Sequence, residues 1–297
     1  MKDEIARVAR VYLEPLTPLH IGAGKGGGKP LVDKCIGTGF RLEPEEWPAG
    51  QVVSIKVVDG TSQPYIPGST IKGMLRAMYE FVAGEKRTKE LLGSLSKASE
   101  ILFSDLLLPK ELSQRELVRS YQLRCFCPYR VETGKCKDKS RQRVFSHQFV
   151  IASCQEAPVV FQGTITFFGE SLPRVLQSIF AKKEELTKLL TADGRNPEKE
   201  LANQGFRSYI NSGPFFECLG EEVYTIIWKL GKFVKAYSKA LHKGKFLRSG
   251  KHRGQYNDLP YAFFALKEGK EEILPGWVKL TIDLTEAREF ELNLMGG

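Results

Sequence analysis

Residues 64–80 read PYIPGSTIKGMLRAMYE, and the rest of the chain can be placed around this stretch. Pro67 and Gly68 indicate a turn, and Ser69 or Thr70 can cap the helix that follows. Behind the cap, apolar residues recur at helical spacing and predict one buried helix face: Ile71, Met74, Leu75, Met78, Tyr79 and Val82. The stretch therefore predicts an amphipathic helix that begins at a tight turn.

Two cations lie on a different face of this helix. Lys72 and Arg76 are four residues apart, so their side chains are neighbours on the helix surface. A helix start offers unpaired N–H groups and the positive end of the helix dipole, and both attract phosphate. One interpretation is a phosphate-binding helix start that uses Ser69, Lys72 and Arg76. The alternative is an ordinary capped helix whose basic residues are solvated.

The run IPGSTIKGMLR at residues 66–76 resembles the signature helix of the RAMP superfamily of CRISPR-associated proteins. Upstream, residues 18–24 read PLHIGAG and resemble the first strand of that family where it runs into a glycine loop. Two such fragments in the family's order are more specific than either one alone. The resemblance implies that His20, Gly22 and Gly24 belong to an RNA-binding loop.

A glycine-rich segment, GKGGGKP, follows at residues 24–30. So many glycines cannot hold a regular element, and the segment is predicted to be a loop. A nucleotide-binding P-loop is excluded, because Ala23 stands where its first glycine belongs and Pro30 where its hydroxyl belongs. Two interpretations remain: a cationic loop that holds a sugar-phosphate chain with Lys25 and Lys29, or a surface hairpin.

A second glycine-rich segment, HKGKFLRSGKHRG, occupies residues 242–254. Glycine lets the backbone approach a phosphate closely, and arginine can bind phosphate through two hydrogen bonds. The resemblance predicts the superfamily's glycine-rich loop at this place in the order of elements. We therefore predict RNA contacts from the cations of the segment: Lys245, Arg248, Lys251, His252 and Arg253. The alternative is a solvated surface loop.

Residues 117–152 are strongly basic and include the run YRVETG at residues 129–134. This run is similar to the family's thumb-like hairpin, which inserts into the guide–target duplex, and it makes Arg130 a candidate RNA ligand. Aromatic residues interleaved with the basic ones favour nucleic acid, because bases stack on such rings. The alternative is an ordinary solvated charge run.

A candidate metal site lies in the same region. Its ligands would be Cys125, Cys127, Cys136 and His147, with Cys154 as the alternative to His147. Thiolates and imidazole suit Zn²⁺, but the Cys-x-Cys spacing is tighter than the usual one. We interpret these residues as ordinary reduced cysteines and expect no cofactor, with Zn²⁺ as the alternative.

Periodicity predicts strands at residues 5–13, 159–168 and 277–284, and helices at residues 87–102, 172–190 and 221–241. Residues 101–105, ILFSD, resemble the family's short F-S-D strand. A hairpin with an Asp59-Gly60 turn is predicted before the signature helix. Without insertions, the order is strand, helix, strand, strand, helix, strand, which is ferredoxin-like. We therefore predict an α+β, ferredoxin-like (RRM-like) RAMP fold with long insertions, whose antiparallel sheet is packed by helices on one face.

The predicted organisation is a single domain over residues 1–297. Insertions are expected near residues 24–64, 117–152 and 190–215. The chain contains 42% hydrophobic and 27% charged residues, which is ordinary for a globular protein. Its net charge of +9 and its pI near 9.1 favour a polyanionic partner.

No targeting segment is indicated by the sequence. No apolar run approaches the ~18 residues that cross a bilayer, so no membrane partner is expected. The start of the chain, MKDEIARVARVYLEP, is charged and does not read as a signal peptide. We therefore expect a cytoplasmic protein.

The resemblance implies a crRNA-binding structural subunit of a type III CRISPR ribonucleoprotein effector complex in antiviral defence. Its implied partners are crRNA, target RNA and other RAMP subunits. Within the family, the chain looks most like the RAMP that caps the backbone filament near the 3′ end of the guide in Csm-type complexes. Such a subunit holds the RNA backbone while base pairing reads the sequence.

The alternative is a metal-dependent endoribonuclease. Backbone RAMPs of type III complexes cut target RNA with an aspartate in the loop after the first strand, and Asp33 lies in the corresponding region. It would hold Mg²⁺ beside the scissile phosphate or orient a ribose hydroxyl. His20 is a candidate general base, but no second histidine lies near it in the sequence to complete an acid–base pair.

Overall fold

The computed structural model describes residues 5–22, 53–113, 117–126, 145–154, 157–191, 198, 202–203, 205–231 and 263–290 of the 297-residue chain. The strands in these ranges are, in chain order, β1 (Ala6–Pro15), β2 (Ile55–Val58), β3 (Thr61–Pro64), β4 (Ile101–Phe103), β5 (Val118–Phe126), β6 (Phe145–Val150), β7 (Ser153–Cys154), β8 (Ala157–Pro158), β9 (Phe161–Phe168), β10 (Phe216–Leu219), β11 (Val223–Lys229), β12 (Phe263–Glu268), β13 (Glu271–Ile273) and β14 (Trp277–Phe290). The helices are α1 (Gly68–Leu92), α2 (Lys110–Ser113), α3 (Ser171–Ala181) and α4 (Lys183–Thr191).

The main sheet contains the predicted ferredoxin-like unit. Its strand order is β10-β11-β14-β1-β9-β4, and each of the described pairs is antiparallel. The chain order β1, α1, β4, β9, α3–α4, β14 is the ferredoxin-like order, and the hairpin β10–β11 extends the sheet beyond β14. The fold class is therefore confirmed: a mixed fold with a large antiparallel sheet.

One face of the main sheet is buried under the helices. Alternate residues of the central strands, such as Leu13 on β1 and Leu280 on β14, have no exposed surface. They form one core with Ile71 and Leu75 of α1 and with Val175 of α3. This is the one-sided helical packing that the hydrophobic pattern of the signature helix predicts.

Helix α1 consists of two arms that meet at Gly84, whose φ is 82°. Arg76 on the first arm donates from Nη1 to the carbonyl oxygen of Gly93, just beyond the second arm, at 2.8 Å. Along a straight helix these residues would be about 25 Å apart, which no side chain spans. The second arm therefore folds back along the first.

A second sheet, in the order β13-β12-β5-β6, lies beside the first. Strands β5 and β6 come from the predicted insertion at residues 117–152 and pair in antiparallel fashion. Buried residues of this sheet form a small separate core: Tyr121, Phe149, Leu266 and Ile273. The division of residues 1–297 into one domain with three insertions stays a prediction.

Several predicted elements are present in the structure. Strand β9 matches the predicted strand at residues 159–168, and β14 contains the one predicted at residues 277–284. Strands β2 and β3 form the predicted hairpin, and the turn residues Asp59 and Gly60 have φ of 49° and 77°. The helix predicted at residues 172–190 is present as the two helices α3 and α4.

Two predicted helices are wrong. Residues 223–229 form β11 instead of a helix, because Tyr224, Ile226 and Trp228 are buried at a period of two. The helix expected at residues 87–102 ends at Leu92, since the chain then turns at Gly93 and enters β4. Among the helices that the structure describes, none has the length and apolarity needed to cross a bilayer.

Candidate nucleic-acid interface

Residues 16–22, here called the junction segment, connect the two sheets. The backbone N–H groups of Leu16 and Thr17 donate to the carbonyl oxygen of Trp277, at the start of β14. Leu19 then exchanges two hydrogen bonds, of 2.9 and 2.8 Å, with Val150 at the end of β6. Further on, the carbonyl oxygen of Ile21 accepts from the N–H of Ser54. The junction segment is thus fixed from three sides.

His20 lies inside this junction, with 2% of its surface exposed. Its Nδ1 is 2.6 Å from the carbonyl oxygen of Gln148, which only accepts, so Nδ1 carries the proton and donates. The ring centroid of His147 is 5.5 Å from that of His20. The structure therefore supplies the second histidine that sequence proximity did not show. An RNA contact from the His20 side chain stays a prediction, and the buried position favours a packing role.

The described chain ends at this junction ahead of each of the two glycine-rich segments. Gly22 pairs with Val53 in an isolated bridge, and Ser54 Oγ donates to the Gly22 carbonyl oxygen at 2.9 Å. Gly231 has a φ of 102°, and a Cβ there would be 2.6 Å from the carbonyl oxygen of His20. Only glycine tolerates that approach. The last described residues before residues 23–52 and 232–262 therefore lie side by side.

Three further described residues that flank basic parts of the chain lie on the second sheet. We call residues 127–144 the middle basic segment and residues 232–262 the late basic segment. Phe126, which precedes the middle segment, is the register partner of Phe263, which follows the late one. Phe145, after the middle segment, pairs with Leu123. The junction contacts β6 at Val150, so the residues that flank the middle basic segment lie at the other end of β5 and β6, about 17 Å away along β6.

These two segments account for the basic character of the whole chain. The middle basic segment carries six lysines and arginines and two acidic residues. The late basic segment carries eight lysines and arginines and one acidic residue. Their net charges are therefore +4 and +7, against +9 for the chain, so the remaining residues are net acidic. The residues outside the two basic segments, taken together, offer no excess positive charge to a polyanion.

The start of α1 is not open to an anion, because Asp105 occupies it. The Asp105 carboxylate accepts from the N–H of Gly68 at 3.1 Å and from Lys56 Nζ at 2.9 Å. Burial acts to raise the pKa of Asp105, but these two hydrogen bonds outweigh it and hold that pKa below its ordinary range. The prediction that Ser69 or Thr70 caps the helix is wrong, since the N-cap is Pro67 and no side chain of that turn caps it.

Gly68 is required by the same contact. A Cβ at this position would be 2.4 Å from the carbonyl oxygen of Phe103 and 2.5 Å from that of Ser104. The strand that leads to Asp105 therefore passes directly against the first turn of α1. The Pro67-Gly68 turn and the Phe103-Ser104-Asp105 run form one unit, which the sequence presents as two separate motifs.

Lys72 and Arg76 are both partly buried, on the face of α1 that the sequence predicts. Arg76 donates to the carbonyl oxygens at the end of the folded-back arm. Burial lowers the pKa of Lys72, and the adjacent guanidinium of Arg76 lowers it further. No carboxylate pairs with Lys72 among the described residues. A desolvated ammonium beside another cation favours an anion supplied from outside the chain.

A buried polar cluster that sequence reasoning did not single out closes one end of the main sheet. The Glu198 carboxylate accepts hydrogen bonds from Lys229 Nζ, from Trp277 Nε1 and from Ser208 Oγ, the last at 2.8 Å. Glu198 and Lys229 are both almost fully buried. The only signal in the sequence is a lysine at the end of an apolar strand, since its partner lies far away in the chain.

Most of the other candidate residues lie outside the described ranges: Gly24, Lys25, Lys29, Asp33, Cys127, Arg130, Cys136, Lys245, Arg248, Lys251, His252 and Arg253. The nuclease role of Asp33 with Mg²⁺ therefore stays a prediction, as does the zinc site. The pairing of β5 with β6 places His147 opposite Tyr121, about 13 Å along the strand from Cys125. That backbone distance disfavours one metal ion bound by both. Within the described residues, no three His, Cys, Asp or Glu side chains form a metal-binding group.

Solved structures of similar shape are distant from this chain. A chain of the type III-B Cmr-beta complex bound to cognate target RNA is 19% identical over 57% of this chain and 49% of that chain, with a TM-score of 0.34. A chain of the Csm3–Csm4 subcomplex of the type III-A CRISPR-Cas interference complex is 15% identical over 65% and 69%, with a TM-score of 0.30. Cmr6 from Pyrococcus furiosus is 14% identical over 59% and 88%, with a TM-score of 0.28.

The first of these matches spans about half of the other chain. Likenesses at such identities and TM-scores carry no argument about function. Among curated proteins, none matches this chain. The RAMP superfamily model, in contrast, matches residues 12–217, more than half of the sequence. The matched region begins in β1 and contains the junction segment, all of α1 and Asp105. This chain therefore belongs to the RAMP superfamily.

Proposed function

We propose that this RAMP protein is a crRNA-binding structural subunit of a type III CRISPR ribonucleoprotein effector complex in antiviral defence. The observation that carries the proposal is the position of the described residues on either side of the late basic segment. Gly231, just before that segment, lies against His20, and Phe263, just after it, is the register partner of Phe126, which precedes the middle basic segment. An RNA strand bound there would meet positive charge from both.

The distribution of charge favours a protein that binds the RNA backbone over one that catalyses a reaction. The excess positive charge of the chain lies in two segments, whereas the described scaffold carries cations and anions in nearly equal number, several of them in ion pairs. Phosphates attract such segments without regard to base sequence, and base pairing supplies the specificity. Lys72 adds a partly buried cation on α1 that pairs with no carboxylate among the described residues.

Within such a complex, the partners we propose are crRNA, target RNA and neighbouring RAMP subunits. The subunit that we propose is the one that caps the backbone filament near the 3′ end of the guide in Csm-type complexes. This assignment rests on the resemblance of the signature helix and on the long insertions between the elements. Co-expression with the subunits of a type III-A complex, followed by pull-down, tests it.

The RNA-binding role is tested by the salt dependence of RNA binding. We expect the full chain to bind a single-stranded oligoribonucleotide, with log K falling linearly with log salt concentration. Replacing Lys245 and Arg248 by Ala should lower the magnitude of that slope by about 1.4, since each lost contact to a single strand is worth ~0.7.

A matched control uses two lysines of the hairpin β12–β13, Lys267→Ala and Lys270→Ala. Both are exposed on the described surface, at the turn of the hairpin that forms the edge of the second sheet. This variant carries the same net charge as the Lys245 and Arg248 variant, so equal slopes for the two variants would show that only net charge matters. That result, or no RNA binding by the unaltered chain at low salt, would contradict the proposed function.

A further inference from the structure

The face of the main sheet opposite to the helices is largely open. At one end of this face, Lys229 on β11 and Trp277 on β14 are register partners and both are buried. From there on along the strands, none of the central side chains of the face is buried. The central residues of this open face are Arg10, Tyr12, Glu14, Gln162, Thr164, Thr166, Thr225, Ile227, Lys279, Thr281 and Asp283. Six of these eleven carry a hydroxyl or a side-chain amide, and the four charged ones are two cations and two anions, so the face is polar without a net charge.

The strand register aligns four of these residues in one row across four neighbouring strands. Thr225 on β11 is opposite Thr281 on β14, Thr281 is opposite Tyr12 on β1, and Tyr12 is opposite Gln162 on β9. The two threonine Oγ1 atoms are 3.4 Å apart. Neighbouring strands are about 4.8 Å apart, so this hydroxyl row extends over about 14 Å.

The hydroxyl row is suited to the sugar and base side of a nucleic acid strand. Hydroxyl and amide groups both donate and accept hydrogen bonds, as the ribose 2′-OH and the base edges do. The Tyr12 ring adds a surface on which a base can stack. Phosphate would find little here, since Lys279 lies 4.0 Å from the Glu14 carboxylate in an ion pair.

The open face is continuous with the junction. Strand β1 leads from Tyr12 into the junction segment, and β11 leads from Thr225 through Leu230 to Gly231, where the late basic segment begins. At that end, Lys229 and Trp277 are covered by Glu198, so the open face begins one row further along the strands. A strand of RNA that reaches the junction can therefore continue past the covered row and the row of Glu14 and Lys279 onto the hydroxyl row.

We propose that the hydroxyl row contacts the riboses and bases of single-stranded RNA and so distinguishes RNA from DNA. This inference rests on the proposed function, because it assumes that RNA is held at the junction. It divides the work between two kinds of surface: charged segments hold phosphates, and a neutral sheet face reads the sugar. Threonine is also common in strands for its backbone preference alone, and the experiment separates the two explanations.

The test uses substitutions that remove hydroxyls and keep shape. The variant Tyr12→Phe, Thr225→Val, Thr281→Val retains the ring and the β-branched side chains, so strand formation is preserved. Binding of an oligoribonucleotide and of the oligodeoxyribonucleotide of the same sequence is measured by fluorescence anisotropy at one salt concentration. We expect RNA affinity to fall about tenfold or more, since several hydrogen bonds are lost. DNA affinity and the salt slope should change little.

The control is Thr166→Val, which lies on the same face about 13 Å from Gln162 along β9. It should leave the ratio of RNA to DNA affinity unchanged. Thermal unfolding verifies that each variant is folded. If the triple variant is not folded, the single variant Tyr12→Phe replaces it, and its RNA contact is measured by crosslinking to 5-bromouridine RNA with peptide mapping.

The outcomes separate the two proposals. If the unaltered chain binds no RNA, the proposed function fails, and the inference fails with it. If the chain binds RNA but the triple variant keeps the same ratio of RNA to DNA affinity, only the role of the hydroxyl row is overturned. An equal loss of affinity for RNA and DNA also overturns the role of the hydroxyl row. If only Tyr12→Phe folds, crosslinks that map away from β1 overturn that role.

Discussion

Lys229 and Lys72 are both withdrawn from solvent, but their surroundings differ. The Lys229 ammonium is almost fully buried against the Glu198 carboxylate and lies 5.4 Å from the centre of the Trp277 ring. Lys72 is only partly buried, faces the cation Arg76 and has no described carboxylate beside it. The first lysine completes the scaffold, because its charge is neutralised within the chain. The second carries a charge that no carboxylate of the described residues neutralises.

The largest expected effect follows from removing the partner of Lys229. Glu198→Gln leaves a buried ammonium without a carboxylate, and we expect a loss of about 3–5 kcal/mol in the free energy of unfolding. Urea unfolding of the variant measures it, with the exposed Glu222→Gln as the control. Replacing both Glu198 and Lys229 by Met should restore much of the loss, since the unpaired charge is then gone. A loss below ~1 kcal/mol for Glu198→Gln would contradict the structural role of the pair.

A smaller effect is expected at the start of the helix that carries Lys72. Gly68→Ala places a methyl group against the backbone oxygens of Phe103 and Ser104, and we expect a loss of about 2–3 kcal/mol. Gly73→Ala on the same helix is the matched control, because a Cβ there meets nothing within 4 Å. It should stabilise the protein by up to ~1 kcal/mol. Similar unfolding midpoints for the two variants would refute the close approach of β4 to α1.

The Asp105 cap should make stability depend on acid. Because the pKa of Asp105 is lowered in the folded protein, its contribution is fully present above the ordinary aspartate pKa of ~4 and is lost as pH falls through the folded value. Asp105→Ala should cost about 1–2 kcal/mol at pH 7. The difference from the unaltered chain should shrink below pH 4, as measured by urea unfolding across pH. A difference that is constant with pH would contradict the role of the charge.

The smallest effect on stability is expected at Lys72. Its pKa is lowered in the folded protein, so the unfolded chain binds more protons, and stability rises with pH until the ordinary lysine pKa is reached. Lys72→Met should remove that rise and change stability at pH 7 by less than ~0.5 kcal/mol. In the same variant, the salt slope of RNA binding should fall in magnitude by ~0.7. An unchanged slope would show that Lys72, like Lys229, has a structural role and does not contact RNA.

Sequence reasoning succeeded where one segment contains all the information that specifies it. The apolar spacing of α1 and the alternation in β9 are local patterns that tertiary contacts reinforce. The interpretation failed for β11, where the run from Val223 to Trp228 is apolar at both periods. Its β-branched and aromatic composition favours a strand, and the structure follows that preference.

The parts of the site that the sequence did not reveal depend on distant partners. Asp105 caps a helix that begins 37 residues before it. The ring of His147, on β6 of the second sheet, contacts the ring of His20 in the junction segment. The buried Glu198 is likewise separated by 31 residues from Lys229. No local pattern marks such pairs, because each residue alone is typical of a solvated loop or strand end.

The position of β1 in the main sheet has a consequence for how the chain is made. Strand β1 is flanked by β9 on one side and by β14, the last strand that the structure describes, on the other. During synthesis, strand β1 must therefore wait with one edge unpaired until β14 has left the ribosome. Pairing across such a separation is slow, because a long loop has to close first. A chain truncated before Trp277 would expose that edge permanently and should aggregate rather than fold.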